Sequence, residues 1–500
     1  MNNRTFARSG LALLLATTAS AALAHSDHAA AEEAEAQIAR IQALDDAGPM
    51  LNAVIAYDLE APNYANEAEK AGMRLAGRTV LVKDNIETTE WPTTAGSLAL
   101  KDNTTGRDAP LITKLRDAGG VVLGKTNLSE WANIRSDNST SGWSAVGDLT
   151  RNPYAIDRNT CGSSAGSGAA IAAGFAWGAI GTETNGSITC PASINGIVGF
   201  KPSVGIVSRT HVVPISSTQD TAGPMTRTVH DAALLLTAIA GEDPADPVTL
   251  EAKRVADYTD GLDTASLKGV RIGVLRSAVG KRSDVSALFE AALADLTRAG
   301  AVLVDVEHAP PGELWQASLP VLLYELRVGM DQYLALRPGN GGPRRLADVV
   351  AFNRANAREE MRWFGQELFE QALEPLDDDQ YDKNLATLRR LTRTEGIDKL
   401  LSENDVDFLV APTTGPAWST DLVNGDNYSG GIGAGYLAAI AGYPHLTLPM
   451  GAVEGLPVGL SILGAKWEDH AVLKAGAAYE KARTAKLPAP SFKRWEPAGE

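Results

Sequence analysis

The chain has 500 residues, a net charge of -16 and an ordinary globular composition, with 44% hydrophobic and 21% charged residues. This length suits one large α/β domain or two to three average domains. The acidic balance disfavours a large nucleic-acid interface, because such an interface needs a basic face.

The N-terminal residues have the pattern of a secretory signal. Arg4 and Arg8 precede the apolar run LALLLATTASAALA, and the sequence ALA at 22–24 matches a small-x-small cleavage site. The run is shorter than the ~20 apolar residues that a membrane helix needs. We therefore expect a signal peptide over residues 1–24, a mature chain over 25–500 that is periplasmic or secreted, and no membrane span.

Strand and helix patterns alternate along the mature chain. A helix pattern begins at residue 110 and leads into the strand VVLG, an Ala/Gly helix is expected over 164–180, and an amphipathic helix over 286–300. Residues 313–403 contain almost no strand signal and are typical of consecutive helices that cap an opening in a sheet. The other expected strands are 78–86, 270–277, 301–307, 407–413, 445–451 and 458–464.

This alternation predicts the fold class. Strands separated by amphipathic helices are typical of α/β proteins with a parallel or mixed sheet between helical layers. No internal repeat or Pro/Gly linker divides the mature chain. We therefore expect a single large α/β domain with a mixed sheet, helices on both faces and a helical cap region.

The two cysteines flank two patches of small residues, CGSSAGSGAA (161–170) and GTETNGSITC (181–190). Two buried free thiols are the simpler expectation for Cys161 and Cys190. A disulfide stays open, because an exported protein permits it if the Cα atoms lie within about 7 Å. No spacing resembles a metal site and no phosphate-binding loop occurs, so no metal or cofactor is expected.

The second patch suits an exposed nucleophile. Ser187 follows Thr184, Asn185 and Gly186, and Gly186 has no Cβ that would obstruct a substrate. Successive backbone N–H groups in a tight turn can converge on one oxygen, as an oxyanion hole requires. The sequence therefore predicts Ser187 as a nucleophile and the N–H groups of residues 184 to 187 as the oxyanion hole.

A serine nucleophile also needs a base, and no histidine lies near either patch. Lys83 ends the apolar strand TVLV, where burial would lower its pKa, and a neutral lysine can replace histidine. Considered alone, Lys83 is more typical of a lysine that reaches solvent or pairs with the adjacent Asp84.

Three segments together change that interpretation. GRTVLVKDNI, CGSSAGSGAA and GTETNGSITCPASINGIVGFKPSVGIVS resemble the amidase signature family from about residue 75 to 240, and the resemblance resumes at DFLVAPTT and PHLTLPMGAVEGLPVGLSILG. It implies an amidase with a Ser–Ser–Lys triad that hydrolyses amides to acid and ammonia. Lys83 would be the base, Ser163 the bridging serine after a cis Gly162–Ser163 bond, and Ser187, which is 24 residues later, the nucleophile.

Departures from the common family pattern bear on the substrate. Glu183, Asn185 and Thr189 replace the family's usual Asp, Gly and Arg, and the resulting block resembles the peptide amidase branch of the family. The segment FGQELFEQAL has Phe369 and Glu370 where tRNA-dependent amidotransferase subunits are basic. The resemblance therefore implies a neutral amide, either a small molecule or a C-terminally amidated peptide, and no nucleic-acid partner.

Several alternatives stay open. Within the family they are a fatty-acid or aryl amide hydrolase and an amidotransferase subunit. A different hydrolase would use Ser164 in the G-x-S-x-G sequence at 162–166, with a late histidine such as His445 or His470. A non-catalytic extracytoplasmic binding protein would also suit an exported α/β chain.

Overall fold

In the computed structural model, residues 28–339, 341–375, 377–428 and 431–497 are described. The expected signal peptide, residues 1–24, lies outside them. Every helix within these ranges is too short or too polar to cross a bilayer.

The described residues form thirteen strands. Eleven belong to one mixed sheet with the order β1-β3-β2-β6-β8-β7-β12-β13-β11-β9-β10, and β4 and β5 form a separate pair. The strands are β1 (Val54–Tyr57), β2 (Thr79–Lys83), β3 (Val121–Thr126), β4 (Trp143–Ser144), β5 (Asp148–Leu149), β6 (Gly178–Glu183), β7 (Val198–Lys201), β8 (Thr221–Thr226), β9 (Arg271–Val274), β10 (Val302–Asp305), β11 (Phe408–Pro412), β12 (His445–Val453) and β13 (Leu456–Leu463).

Helices cover both faces of the sheet and connect its strands. The α-helices are α1 (Ala29–Leu44), α2 (Ala61–Lys70), α3 (Pro110–Asp117), α4 (Ala165–Ala173), α5 (Thr189–Ile194), α6 (Val229–Ile239), α7 (Ser283–Arg298), α8 (Gly312–Ala335), α9 (Leu346–Ala355), α10 (Ala357–Glu360), α11 (Glu367–Ala372), α12 (Asp378–Arg389), α13 (Asp398–Glu403), α14 (Gly435–Ala441) and α15 (Asp469–Ala482). A π-helical stretch, Arg390–Ile397, joins α12 to α13.

The central strands are buried along their whole length because the sheet has a core on each face. Side chains of β2 alternate between the two: Val80 and Val82 pack with α3 and α6, whereas Leu81 packs with α1 and α4. The predicted single α/β domain with helices on both faces is therefore confirmed. Residues 312–403 contribute helices α8 to α13 in succession.

Two of the expected elements differ from the structure. The Ala/Gly helix ends at Ala173, because Gly174 adopts a left-handed conformation with φ of 75° and caps it. The end of the expected helix, residues 178–180, instead begins strand β6, Gly178–Glu183. The segment expected as a buried strand at 301–307 forms the edge strand β10, and its Val302 is 44% exposed.

Two strand valines that differ in exposure give a test of the sheet order. Val410 lies in β11 between β13 and β9 and is fully buried, whereas Val302 lies on the edge strand. Val410→Ala should lower the free energy of unfolding by about 2–3 kcal/mol, and the control Val302→Ala by less than about 1 kcal/mol. Denaturant titration measures both values. Equal losses would contradict this sheet order.

Candidate active site

The sheet brings the lysine and the second small-residue patch to one edge. Strands β2 and β6 are parallel neighbours, with Val82 opposite Ile180. Parallel neighbours end at the same edge of a sheet, so Lys83 at the end of β2 lies beside the residues that follow β6. Ser163 lies just before α4, which packs on the same strands.

Lys83 is fully buried and contacts hydroxyl and carbonyl oxygens. Its Nζ lies 2.7 Å from Ser163 Oγ, 2.8 Å from Thr182 Oγ1 and 3.3 Å from the Thr182 carbonyl oxygen. Burial lowers the pKa of this amine to about 7, although the negative charges of Asp220 and Glu183 oppose the shift. A substantial fraction of the amine is therefore neutral near pH 7.

Asp84 is not the ion-pair partner of Lys83. Its carboxylate lies 2.9 Å from the amine of Lys125, and both side chains are completely buried. The Lys125 amine also donates to the Ile86 carbonyl and to Thr93 Oγ1. Because Asp84 is held in this way, the Lys83 amine contacts no carboxylate of a described residue, and among these residues no direct ion pair stabilises its protonated form.

The peptide bond between Gly162 and Ser163 is cis, as the family resemblance implies. Gly162 is required here by a close approach: a Cβ at this position would lie 2.1 Å from Ser129 Oγ. Ser129 in turn donates its N–H to the Ser163 carbonyl at 3.0 Å. These contacts fix the backbone that carries the Ser163 hydroxyl.

The loop of residues 184 to 187 is anchored at both ends. Thr184 Oγ1 donates to Asp220 at 2.6 Å, and Glu183 Oε2 accepts the N–H groups of Ile188 and Thr189 at 2.8 and 2.9 Å. Gly186 has a φ of 91°, which favours glycine. Within the described chain, no hydrogen bond uses the N–H groups of residues 184 to 187. They are thus free to bind a ligand oxygen.

Ser163 and Ser187 line the same cavity. The two segments are joined through their backbones, because the Ser164 N–H donates to the Ser187 carbonyl at 3.1 Å. Of the hydrogen bonds among described residues, one joins Lys83 to Ser163, and none joins the two serine hydroxyls. The structure therefore contains the Lys83–Ser163 contact and places Ser187 beside it.

The expectation of free thiols is wrong. Cys161 and Cys190 form a disulfide, with their Cα atoms 6.0 Å apart. Sequence could not show this, because the pairing depends on the loop before α4 lying against the start of α5. The bond ties the segment that carries Ser163 to the segment that carries Ser187.

Two cavities lie on either side of the 184–187 loop. The first, which we call the serine cavity, has a volume of about 610 Å³ and extends between the sheet edge and the cap helices. The second, the aromatic cavity, has a volume of about 790 Å³. The serine cavity is lined by Ser163, Ser187, Val212, Pro214, Tyr324 and Leu336, among others, and the aromatic cavity by Asn185, Gly186, Trp315, Trp418, Asp426 and His445, among others.

Some residues singled out from the sequence lie away from these cavities. Phe369 is fully buried and packs edge-on against Trp131, and Glu370 pairs with Arg354 at 3.0 Å. They therefore carry no information about the substrate. Thr189, in contrast, lines the aromatic cavity, and its hydroxyl lies 3.2 Å from Glu183 Oε2.

The arrangement expected for the Ser164 alternative is not formed. Ser164 is fully buried, and its hydroxyl donates to the carbonyl and accepts from the N–H of Thr182. His445 Nε2 is hydrogen-bonded to Ser461 at 2.7 Å, and His470 Nε2 to the Asp260 carbonyl at 2.8 Å. Neither ring contacts Ser164.

Sequence reasoning missed the residues that surround the lysine. Thr182 receives hydrogen bonds from both Lys83 and Asn85, and Asp220 anchors Thr184 while it contributes negative charge. Asn85 follows Lys83 in the KDN sequence and Thr182 precedes Ser187, so both lie within the segments that carry the family resemblance. Asp220 lies within the range of the resemblance but outside the quoted segments, and no local pattern singles it out.

The sequence matches the Amidase family over residues 32–473. It is 36% identical to a probable amidase of Arabidopsis thaliana, over 90% of this chain and 87% of that protein. It is 35% identical to a glutamyl-tRNA(Gln) amidotransferase subunit of Ralstonia nicotianae, over 93% of this chain and 97% of that protein. The crystal structure of native peptide amidase from Stenotrophomonas maltophilia matches with a TM-score of 0.87 and 46% identity, covering 93% of this chain and 95% of that one.

The chain therefore belongs to the amidase signature family and is an amide-hydrolysing enzyme. The alternative of a non-catalytic binding protein is therefore wrong. The contacts of Ser164, His445 and His470 disfavour a hydrolase built on Ser164. The similarity to peptide amidase also confirms the resemblance to that branch of the family, which the sequence block around Ser187 indicated.

The lowered pKa of Lys83 makes stability depend on pH. Between about pH 7 and its ordinary pKa of 10.5, the unfolded chain binds a proton at this amine that the folded chain does not. Folding is therefore increasingly favoured as pH rises through this window. Relative to Lys83→Met, the free energy of unfolding of the parent should increase by about 1 kcal/mol per pH unit from pH 7 to 9. Denaturant titration at several pH values measures it, and a constant difference would contradict the lowered pKa.

Proposed function

We propose that this enzyme hydrolyses C-terminal amides of peptides, or other neutral primary amides, to a carboxylic acid and ammonia through an acyl-enzyme on Ser187. The observation that carries the proposal is the 2.7 Å contact between the buried Lys83 amine and the Ser163 hydroxyl, beside Ser187 in the same cavity. Lys83 acts as the base, Ser163 as the bridging serine and Ser187 as the nucleophile.

The contacts of Lys83 match the valence of a neutral amine. Such an amine has two N–H bonds and one lone pair. Thr182 offers two acceptors, its carbonyl and its hydroxyl oxygen, which leaves the lone pair for the Ser163 proton. Ser187 Oγ then attacks the amide carbon while its proton passes to Ser163 and the Ser163 proton to Lys83. The resulting ammonium is stabilised by the nearby charges of Asp220 and Glu183.

The second half of the reaction reverses this relay. The proton on Lys83 returns through Ser163 to the amide nitrogen, the C–N bond breaks and ammonia leaves. Water, deprotonated by the same route, attacks the acyl-enzyme and releases the acid and Ser187. The unoccupied N–H groups of residues 184 to 187 bind the carbonyl oxygen as its negative charge develops in each step.

The charges of the serine cavity support an amide without a free carboxylate as substrate. Two arginines line it, and each already has a carboxylate partner: Arg107 lies 2.6 Å from Glu87, and Arg209 lies 2.6 Å from Asp246. A free carboxylate such as that of glutamine would compete with these pairs. The same argument disfavours an amidotransferase role. Fatty-acid or aryl amides remain the second candidate, because the wall that includes Val212, Pro214 and Leu336 is apolar.

We also propose that the protein is exported. Arg4, Arg8 and the apolar run after them form the expected signal, and the Cys161–Cys190 disulfide suits an oxidising compartment. The charged tRNA and partner subunits of an amidotransferase would not be present there. A small-molecule or peptide amide is the expected partner.

Single substitutions test the triad. Ser187→Ala and Lys83→Ala should each lower kcat by at least about three orders of magnitude, because nucleophile and base act as a unit. Ser164→Ala is the matched control and should lower kcat by less than about tenfold. The measurement is ammonia release from an amidated dipeptide, with circular dichroism to verify folding. Parental turnover by a folded Lys83→Ala enzyme would exclude this lysine as the base.

A substrate panel tests the specificity. The amidated dipeptide should exceed glutamine in kcat/KM by at least tenfold, roughly the discrimination expected when a charged group lacks a partner. A fatty-acid amide, an aryl amide and a simple aliphatic amide complete the panel, and the dipeptide with a free carboxyl end is the blank. Preference for glutamine would overturn the argument from the paired arginines, and preference for the fatty-acid or aryl amide would select the second candidate.

A further inference from the structure

The aromatic cavity lies beside the loop that carries the proposed oxyanion hole, but it contains neither Ser163 nor Ser187. It reaches the loop at Asn185 and Gly186, whereas the serine cavity reaches it at Thr184 and Ser187. Its volume of about 790 Å³ lies within the range of small-molecule sites. It is large enough for a part of the substrate that extends beyond the reacting amide.

The charges of this cavity are of one sign. Asp426 is its carboxylate, and no lysine or arginine is among its described lining residues. Its two histidines, His308 and His445, have pKa values lowered by burial, the latter to about 4, so both rings are neutral at pH 7. The cavity therefore disfavours an anion.

Asp426 is held in place with capacity for another donor. Ser141 donates its N–H to one carboxylate oxygen at 3.0 Å and its hydroxyl to the other at 2.5 Å, and Asn159 Nδ2 lies 3.4 Å away. Two carboxylate oxygens offer about four acceptor positions in total. These contacts fix the carboxylate in the cavity wall without saturating it.

His445 presents an acceptor without a partner. Ser461 donates its hydroxyl to Thr413, so it accepts from His445 Nε2–H, and His445 Nδ1 must carry the lone pair. The side chain is 1% exposed, and among described residues Nδ1 has no hydrogen-bond partner. This edge of the ring faces Gly435 in the cavity wall, where a Cβ would lie 2.9 Å from Cε1 and 3.4 Å from Nδ1.

A second acceptor and several aromatic rings complete the site. Asn133 donates its amide Nδ2 to Ser141 at 3.0 Å, and its Oδ1 has no partner among the described residues. Trp315 packs against Tyr436 with ring centroids 5.0 Å apart, and both line the cavity. Unpartnered acceptors need N–H donors, and aromatic faces attract cations.

We propose that the aromatic cavity binds a cationic N–H donor of the substrate, either the free amino terminus of a short peptide amide or a basic side chain within it. Asp426 supplies the counter-charge, and His445 Nδ1 and Asn133 Oδ1 accept N–H groups. The proposal rests on the proposed function, because the cation must belong to an amide that reaches Ser187. It makes Asp426 and His445 specificity-determining residues.

The test compares three peptide amides of the same length: one with a free amino terminus, its N-acetylated form, and an N-acetylated form with a lysine side chain. Asp426→Asn should lower kcat/KM for a cationic peptide, mainly through KM, at least about tenfold more than for the neutral N-acetylated peptide, as loss of a charge-assisted hydrogen bond predicts. The two cationic peptides distinguish the source of the ammonium. Asp421→Asn, in the same segment but outside the cavity wall, is the matched control and should leave the ratio unchanged.

Gly435→Ala provides a variant that keeps every charge. Its added methyl group would lie 2.9 Å from His445 Cε1, so the ring would have to shift and its Nδ1 edge would be blocked. This variant too should therefore reduce the preference for cationic over neutral peptides. If both variants affect all three peptides equally, or if the parent shows no preference for either cationic peptide, the proposal is overturned. If no peptide amide is hydrolysed by the parent but another amide is, the proposed substrate class fails instead.

Discussion

The site depends on a lysine amine that is buried and contacts no carboxylate of the described residues. Burial lowers the pKa of Lys83 to about 7 against the opposing charges of Asp220 and Glu183, and one ion pair would reverse most of that effect. The protein prevents the pair although Asp84 is the next residue, because Lys125 on the neighbouring strand takes that carboxylate at 2.9 Å. Two buried lysines on β2 and β3 thus have opposite environments. Lys125 has its own counter-ion, and Lys83 faces oxygens that carry no formal charge.

Carboxylates also hold the loop of residues 184 to 187 in place. Glu183 uses one oxygen to accept the N–H groups of Ile188 and Thr189, and Asp220 accepts the Thr184 hydroxyl. Both acids influence Lys83 only at a distance, as charges that favour the ammonium once it has formed. An acid in direct contact would keep the amine protonated before the reaction, whereas these two leave it partly neutral. Their separation from the amine is therefore as important as their sign.

Much of this organisation could be predicted from sequence, and the reasons for the rest are physical. Lys83 at the end of an apolar strand and Ser187 in a small-residue patch were recognisable, because local composition determines both. The strands β1, β6, β7 and β8 were not recognised: β6 reads GAIGTE, which has the small residues of the adjacent helix and few β-branched ones. The disulfide, the pair between Asp84 and Lys125 and the role of Asp220 depend on contacts between segments distant in sequence. Local patterns cannot show such contacts.

The small size of the side chains around Ser187 affects both the backbone N–H groups of the loop and the cavities beside it. A loop without bulky side chains leaves its N–H groups open, and it is also thin enough to have a cavity on each side. The arginines of the serine cavity are neutralised by carboxylates, whereas the aromatic cavity has the carboxylate of Asp426 and no cation among its described residues. A substrate that crosses the loop thus meets arginine–carboxylate pairs in one cavity and a carboxylate without any lysine or arginine among the described lining residues in the other. This difference in charge would orient a bound substrate. The residues that produce it lie outside the three segments by which the family is recognised.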